Sequence, residues 1–450
     1  MLDGVGRLAI LARGLRRLAV PSDRSVMPQP RHFTVLGAGT VGVCCALYLQ
    51  RDGHRVTLID RATPGSGCSF GNAGIIQIGA CVPIATPGIL RQVPKMLLDP
   101  EGPLVIRWRY LPRLAPYLLR FIAAARPAHV EAIARTLASV LTHAIPAYRT
   151  LIDAAGAQGL IRDTGEMYLY QTDAAFEAAR PAHELRRRHG VRIETVPIEE
   201  LRQLEPALAP GFKHALWFPD CIRTTNPHLL TRALAQRFVQ DGGELSLETV
   251  RDITVTPDGV IALKTDIGTR PVDRLVLATG AYSKRWAATL GSFVPLDTER
   301  GYHLMLPDPG IELSRPVILG DHRVGVSSMT GGVRVAGTAE LAKLDAEPNF
   351  RRAHRLLAIV KRALPDLNIS DPRPWMGHRP STPDSLPVIC QAPRTPRAFF
   401  AFGHGHLGLT MGAITGRLIA DLAADRAPPI DLAPLHVNRF RRLLPALGGA

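Results

Sequence analysis

Apolar and polar positions along this chain repeat with two periods, and the switches between them mark its elements. Residues 31–36 read as a short buried strand, Thr40–Arg51 as a helix, and Arg55–Asp60 as a second strand. Gly53 stands where a left-handed residue would end that helix. From 83 to about 156 the pattern is helical but broken by Pro87, Pro94, Pro100, Pro103, Pro112 and Pro116, which predicts short helices wrapped over another surface. Strand alternation returns at 165–171, with Met167, Leu169 and Gln171 on one face and Glu166, Tyr168 and Tyr170 on the other. A helix follows Asn226, a good N-cap with Pro227 in the first helical position, and Gly242-Gly243 closes it. Pro257-Asp258-Gly259 predicts a hairpin turn. The run 275–278 reads as a parallel strand buried on both faces. Residues 299–337 alternate as in an antiparallel sheet, and 410–423 forms the last helix.

A chain of 450 residues exceeds one compact core, so two or three domains are expected. The net charge of +15 comes from arginines spread along the whole chain. A nucleic-acid protein would concentrate them among aromatics, so genomic composition explains the charge better, then attraction to an anionic membrane surface. Cys44, Cys45, Cys68, Cys81, Cys221 and Cys390 form no CxxC pair, which points to a reducing compartment rather than a metal site. The most apolar region, 111–144, is interrupted by Arg113, Pro116, Arg120, Arg126 and Pro127, so a membrane-spanning helix is not expected. Residues 1–30 carry Arg7, Arg13, Arg16 and Arg17 in an apolar stretch and read as a disordered basic extension.

Three motifs carry chemistry. The first is Gly37-Ala38-Gly39-Thr40-Val41-Gly42 between strand and helix, followed by Asp60 at the end of the second strand. Gly37 permits the tight turn, Gly39 lets the backbone approach a pyrophosphate, and Gly42 lets helix and strand pack closely. The helix N-terminus then attracts phosphate, and the Asp60 carboxylate can accept ribose hydroxyls. This identifies a dinucleotide and leaves NAD and FAD open. The second is the small turn Thr279-Gly280 after the buried strand, of the kind two-dinucleotide flavoproteins carry near the ADP half. The third is the glycine-rich run from Phe402 to Thr410, which opens the last helix. Its amides and helix N-terminus suit the N1/O2 edge of a flavin, where negative charge collects on reduction. His404 and His406 sit in it without a third ligand, so no metal is expected.

With these motifs in order, residues 32–425 resemble the D-amino-acid dehydrogenase (small subunit type) branch of the FAD-dependent D-amino-acid oxidase and glycine oxidase superfamily. The resemblance also rests on Cys68-Ser69-Phe70-Gly71-Asn72-Ala73-Gly74, Glu299-Arg300-Gly301-Tyr302-His303 and Gly377-His378-Arg379-Pro380-Ser381-Thr382-Pro383-Asp384. It implies an α/β fold with a discontinuous Rossmann-like FAD-binding domain and an inserted α+β substrate domain built on an antiparallel sheet. The expected division is 31–83, 222–288 and 376–426 for the FAD domain, 84–221 and 289–375 for the substrate domain, and 427–450 for a tail. Cofactor contacts fall on the residues of the first motif, on Asp60, Arg61, Ser69, Asn72, Ala73, Gly74, Thr279 and Gly280, and on Gly405, His406, Leu407, Gly408, Leu409 and Thr410. Cys390 lies beyond the segment in which sarcosine oxidase relatives attach flavin through a cysteine, so FAD is expected to be non-covalent.

The resemblance further implies that Arg379 fixes an amino acid carboxylate, so that the α-carbon hydride reaches flavin N5 and the imino acid hydrolyses to a 2-oxo acid. A planar guanidinium suits that contact better than an ammonium group. Without the motif, Arg379 is a turn arginine. Tyr302 and His303 are catalytic-site candidates for lining the substrate or the flavin face, with ordinary strand residues buried on one face as the alternative. Arg223, before the Asn226-capped helix, is a second carboxylate candidate. Trp108, Arg109 and Tyr110 shape the substrate pocket or pack the insert. The expected activity is D-amino acid oxidation with electrons passed to a quinone or other respiratory acceptor, in a cytoplasmic enzyme peripheral to the inner membrane face, without nucleic acid. The alternatives are an oxygen-using oxidase of glycine, sarcosine or a cyclic D-imino acid such as hydroxy-D-proline, and an FAD-binding subunit of a multi-chain dehydrogenase.

Overall fold

The structure is a computed structural model that describes residues 30–88, 104–106 and 110–441, with the backbone alone at 104–106. The basic stretch up to 29, Pro94, Pro100, Pro103, Trp108, Arg109 and residues 442–450 lie outside the described residues.

Six strands form the first sheet, in the order Glu244–Leu247, Arg55–Asp60, His32–Leu36, Arg274–Leu277, Ala398–Phe402 and Val388–Gln391. All neighbours are parallel except the last pair. Their near-continuous apolar character reflects burial on both faces. Val35, Leu58 and Val276 face a helical layer, while Leu36, Ile59, Leu275 and Leu277 face the other side. That other side is covered by the antiparallel strands Val250–Val255, Ile261–Thr265 and Thr269–Val272 and by the helix Ser283–Thr289. The helical layer centres on Thr40–Arg51 packed against Gly408–Ala423. A Cβ at Gly416 would lie 2.5 Å from the Cys44 carbonyl oxygen, so these two helices meet backbone to backbone.

Local signals account for several boundaries. The Asn226 side chain accepts from the N–H groups of His228 and Leu229 and starts the helix Pro227–Gln240. Gly53 follows the first helix at φ +84°, the left-handed conformation expected of it.

The second sheet has nine strands among the described residues. Eight run in the order Arg373–Ser381, Asp297–Leu306, Gly332–Leu341, Val324–Met329, Val317–Leu319, Glu166–Tyr170, His214–Phe218 and Glu194–Val196. Most pairs are antiparallel. The two faces read for Glu166–Tyr170 are both buried: Met167 and Leu169 pack with Leu304 and Val335, whereas Tyr170 joins Leu216 and Phe218.

Three findings depart from the sequence reading. Leu104–Ile106, inside the stretch read as helical, is a strand parallel to Gly332–Leu341. The helices Pro127–Thr142 and Ala144–Ala155, placed with the insert, share their core with the first sheet's helical layer through Leu137, Leu141, Tyr148 and Leu151. The strand Arg373–Ser381 runs across the expected boundary at 375/376 and belongs wholly to the antiparallel sheet.

Candidate active site

At the nucleotide end, the strand His32–Leu36 turns sharply at Gly37, whose φ is +109°. A Cβ there would lie 2.5 Å from the Ala278 carbonyl oxygen. Gly42 lies directly behind it, and a Cβ on Gly42 would come within 1.8 Å of the Gly37 oxygen. The helix N-terminus is therefore seated on the strand end with no room for a side chain between them. Ala38 N–H donates to Asp60 Oδ2 at 2.7 Å, and Ala62 N–H donates to Oδ1 at 3.1 Å, so Asp60 also closes its own loop. Thr40 N–H donates to Ser69 Oγ at 3.0 Å. Helix geometry leaves first-turn N–H groups without intrahelical acceptors, and their dipole attracts phosphate.

A cavity of about 1060 Å³ runs from this loop to the run at 405–410. It is lined by Gly37, Ala38, Gly39, Thr40, Val41, Asp60, Arg61, Ser69, Asn72, Ala73, Thr279, Gly280 and all six residues from Gly405 to Thr410. Two expected contacts are absent from its wall. Gly42 is occupied with the packing just described, and Gly74, at φ +79°, accepts the Thr224 N–H at its carbonyl. Arg61 lies 4.6 Å over the Tyr282 ring. Gly405–Leu407 forms a 3-10 turn that leads into Gly408–Ala423, and Tyr148 donates its hydroxyl to the Leu409 carbonyl. Burial pushes the His404 imidazole down to about 3, so it sits neutral beside Thr415 Oγ1 at 2.9 Å.

At the far end, Arg379 and Glu299 are direct partners across adjacent antiparallel strands. Arg379 Nη1 donates to Glu299 Oε1 at 3.0 Å, and Ser381 Oγ donates to Glu299 Oε2 at 3.3 Å. A Cβ at Gly301 would lie 2.5 Å from Arg379 Cζ, so the guanidinium rests on the bare backbone of the neighbouring strand. His406 is exposed to the cavity, and desolvation by the protein surrounding it is the first cause that holds it below its ordinary pKa; the Glu299 charge opposes this and the Arg379 charge adds to it. His378 is pushed down to about 4, mainly by burial, with the charges of Arg300 and Arg61 adding to it. Among the described residues no three His, Cys, Asp or Glu side chains converge to hold a metal ion.

The other expected substrate contacts divide. Tyr302 lines the cavity, but its hydroxyl donates to Glu340 and accepts from Asn349 N–H, so it is tied into the core. His303 is outside the wall: its Nδ1–H donates to the Gly71 carbonyl at 3.2 Å. Strand alternation turns it to the opposite face from Tyr302. Arg223 is also outside and buried, donating to the carbonyls of Ser328 at 2.7 Å and Ser314 at 3.5 Å. Tyr110 donates its hydroxyl to both oxygens of Asp297 and packs beside Leu114. Sequence reasoning passed over Glu299, Gln77, Tyr282 and Trp375, all in the cavity wall. Glu299 lay within a quoted motif, and only the strand register reveals its partner.

The chain belongs to the family of FAD-dependent oxidoreductases designated DAO, which matches residues 32–422. It is 37% identical over 421 residues to a D-amino-acid oxidase of Bradyrhizobium diazoefficiens, an overlap that covers 92% of this chain and 100% of that protein. It is 32% identical over 419 residues to a D-amino acid dehydrogenase of Paramagnetospirillum magneticum, covering 91% and 99%. Among solved structures, glycine oxidase from Geobacillus kaustophilus superposes with a TM-score of 0.69 at 22% identity, covering 91% of this chain and 99% of that one. L-proline dehydrogenase from P. horikoshii does so at 0.70 and 19%, covering 92% and 99%. These two likenesses establish the fold, a discontinuous Rossmann-like domain with an antiparallel second sheet. The chain is thus an FAD-dependent oxidoreductase. Its residues fit that cofactor, because one continuous cavity joins a helix N-terminus whose first-turn amides lack intrahelical acceptors and a terminal acid to a second helix N-terminus preceded by glycines.

Proposed function

We propose that this enzyme oxidises D-amino acids at the α-carbon. The observation that carries the proposal is Arg379, a guanidinium presented to the same cavity that reaches the 405–410 run. The names of its relatives, D-amino-acid oxidase and D-amino acid dehydrogenase, support the substrate class. Residues 37–41, Asp60 and Arg61 hold the ADP half of FAD together with Ser69 and the Thr279-Gly280 turn, and Asn72, Ala73 and 405–410 hold the flavin. When bound, FAD supplies a hydride acceptor for the substrate carbon. Arg379 binds the substrate carboxylate, which fixes the orientation of the α-carbon, and positioning of this kind accounts for much of a rate enhancement. The resulting imino acid hydrolyses in water to a 2-oxo acid. FAD is held without a covalent bond: Cys390 is buried in the strand Val388–Gln391, and Cys68, though exposed in the cavity wall, has its thiol pushed up to about 11 by the desolvating protein around it, which keeps it protonated. Acid precipitation should release the yellow colour into solution, and colour retained by the protein pellet would overturn this point.

Electrons pass to a quinone or another respiratory acceptor at the inner membrane face. The support is a surface where Leu119, Ile122 and Phe293 are exposed beside Arg120, on a basic chain in which no described helix is long and apolar enough to cross a membrane. A second reading, an oxygen-using oxidase of small or cyclic amino acids, is favoured by the oxidase name of the 37% identical relative. Anaerobic bleaching of the bound flavin across D-, L-, N-methyl and cyclic amino acids tests the substrate class. Peroxide formed in step with substrate loss selects the oxidase, and dye or quinone reduction without peroxide selects the dehydrogenase. Arg379→Ala should raise the apparent substrate constant about 100-fold while FAD stays bound, the cost of a lost charge-assisted contact of roughly 3 kcal/mol. An unchanged constant removes Arg379 from the role.

A further inference from the structure

We propose that Glu299 receives the substrate's amine, so that Glu299 and Arg379 together form a receptor for a zwitterion. This deepens the amino-acid reading above and rests on it. The two side chains face each other across neighbouring strands, 3.0 Å apart, and both line the cavity. Both are partly accessible, at 27% for Arg379 and 17% for Glu299.

Each has capacity left. A carboxylate offers about four lone-pair sites, and Glu299 uses one oxygen for Arg379 and the other for a long contact with Ser381 Oγ. A guanidinium offers five N–H donors in a planar fork, and the Glu299 contact takes one. The floor beneath the guanidinium is the Gly301 backbone, so its plane is fixed against the sheet.

Charge decides what such a pair prefers. A lone arginine would accept any carboxylate. With Glu299 at 3.0 Å the pair is neutral overall, and an incoming carboxylate meets repulsion from Glu299 as well as attraction to Arg379. An α-amino acid carries its carboxylate and amine one carbon apart and so presents the opposite charge to each partner at once. Glu299 therefore makes the site selective for amino acids over the corresponding amine-free acids.

The test compares two ligands on the FAD-loaded enzyme: D-alanine, or whichever D-amino acid bleaches the flavin best, and its amine-free analogue, propanoate for D-alanine. Glu299→Gln should raise the KM of the amino acid roughly 10- to 100-fold, the value of a hydrogen bond to a charged group. The inhibition constant of propanoate should stay level or fall, because Arg379 is released. If Glu299 only orients Arg379, both constants rise by the same factor, and that result overturns the proposal. So does no change in either. Should the variant fail to hold FAD, the unmodified enzyme gives the reading: propanoate should inhibit with a constant at least roughly 10-fold above the amino acid's KM, and equal constants would overturn the proposal. Arg379→Ala separates the two levels. If it leaves the propanoate constant unmoved, the carboxylate reading itself fails; if it weakens propanoate while Glu299→Gln shifts both ligands alike, only the amine assignment fails.

Discussion

The imidazole of His303 lies nearly parallel to the indole of Trp375, with ring centroids 4.9 Å apart and planes inclined by 19°. Trp375 forms part of the cavity wall, and a Cβ on Gly71 would collide with its ring at 1.9 Å. His303 therefore supports a wall residue from behind. Burial, with the Arg334 charge adding to it, pushes its pKa down to about 3, so its neutral form holds across the working range and is lost only as pH falls through the acid range. His303→Gln should raise KM by up to roughly 10-fold through loss of the stack and leave the pH dependence of kcat/KM unchanged between about pH 6 and 9. A titration limb near neutrality that vanishes in the variant would instead make His303 an acid or base in turnover.

Gly42→Ala should abolish stable FAD binding. The added carbon meets a backbone oxygen at 1.8 Å, which no rotamer change relieves, so the helix must shift off the strand end. Overpacking of this kind costs roughly 1–3 kcal/mol, and here it also displaces the first-turn amides that we propose hold the phosphates. The check is the flavin-to-protein absorbance ratio after purification, together with the melting temperature. A variant with full flavin content would refute the packing role.

Gly301→Ala should have a different signature. Its Cβ would crowd the Arg379 guanidinium at 2.5 Å, far from the phosphate loop in sequence and on the other sheet. FAD content should be normal and the substrate KM raised roughly 10-fold, the effect of a guanidinium that loses one good contact geometry. An unchanged KM would show that the guanidinium position is immaterial.

Glu166 gives a pH prediction for stability. It is fully buried, burial raises its carboxyl to about 7, and Oε1 accepts from Gln77 while Oε2 has no partner among the described residues. A carboxyl whose folded pKa is raised is favoured in its neutral form, so stability declines as pH rises from about 4.5 to 7 and stays lower above that. Glu166→Gln should therefore gain up to roughly 3 kcal/mol relative to wild type at pH 8 compared with pH 4.5. Denaturant midpoints at the two pH values measure it, and an equal difference at both would disprove it.

What the sequence made legible was local. Thr40–Arg51, Arg55–Asp60 and the Asn226 cap follow from neighbours a few residues apart, and the structure reproduces each. Leu104–Ile106 was missed because a strand of three residues has no period of its own and is defined by pairing with Gly332–Leu341. The helices from Pro127 to Ala155 announced an apolar face without stating which sheet it covers. Of the residues expected at the cofactor, all but Gly42 and Gly74 line one cavity, each legible within its own short motif, although only the fold brings those motifs together. Glu299 and Arg379 meet only through strand register, and Trp375 carries no chemical signal until Gly71 and His303 are seen against it.

The order of strands in the parallel sheet has a consequence in time. The loop 37–42 is synthesised well before the strand Arg274–Leu277 that backs it. The strand behind Thr279-Gly280, however, finds its second neighbour only at Ala398–Phe402. A nascent chain thus emerges with the loop 37–42 well ahead of the 405–410 run that lines the same cavity, and pairing across such separations is slow to form. A protein that stops short of Ala398 would keep the glycine signature without the cleft beside it.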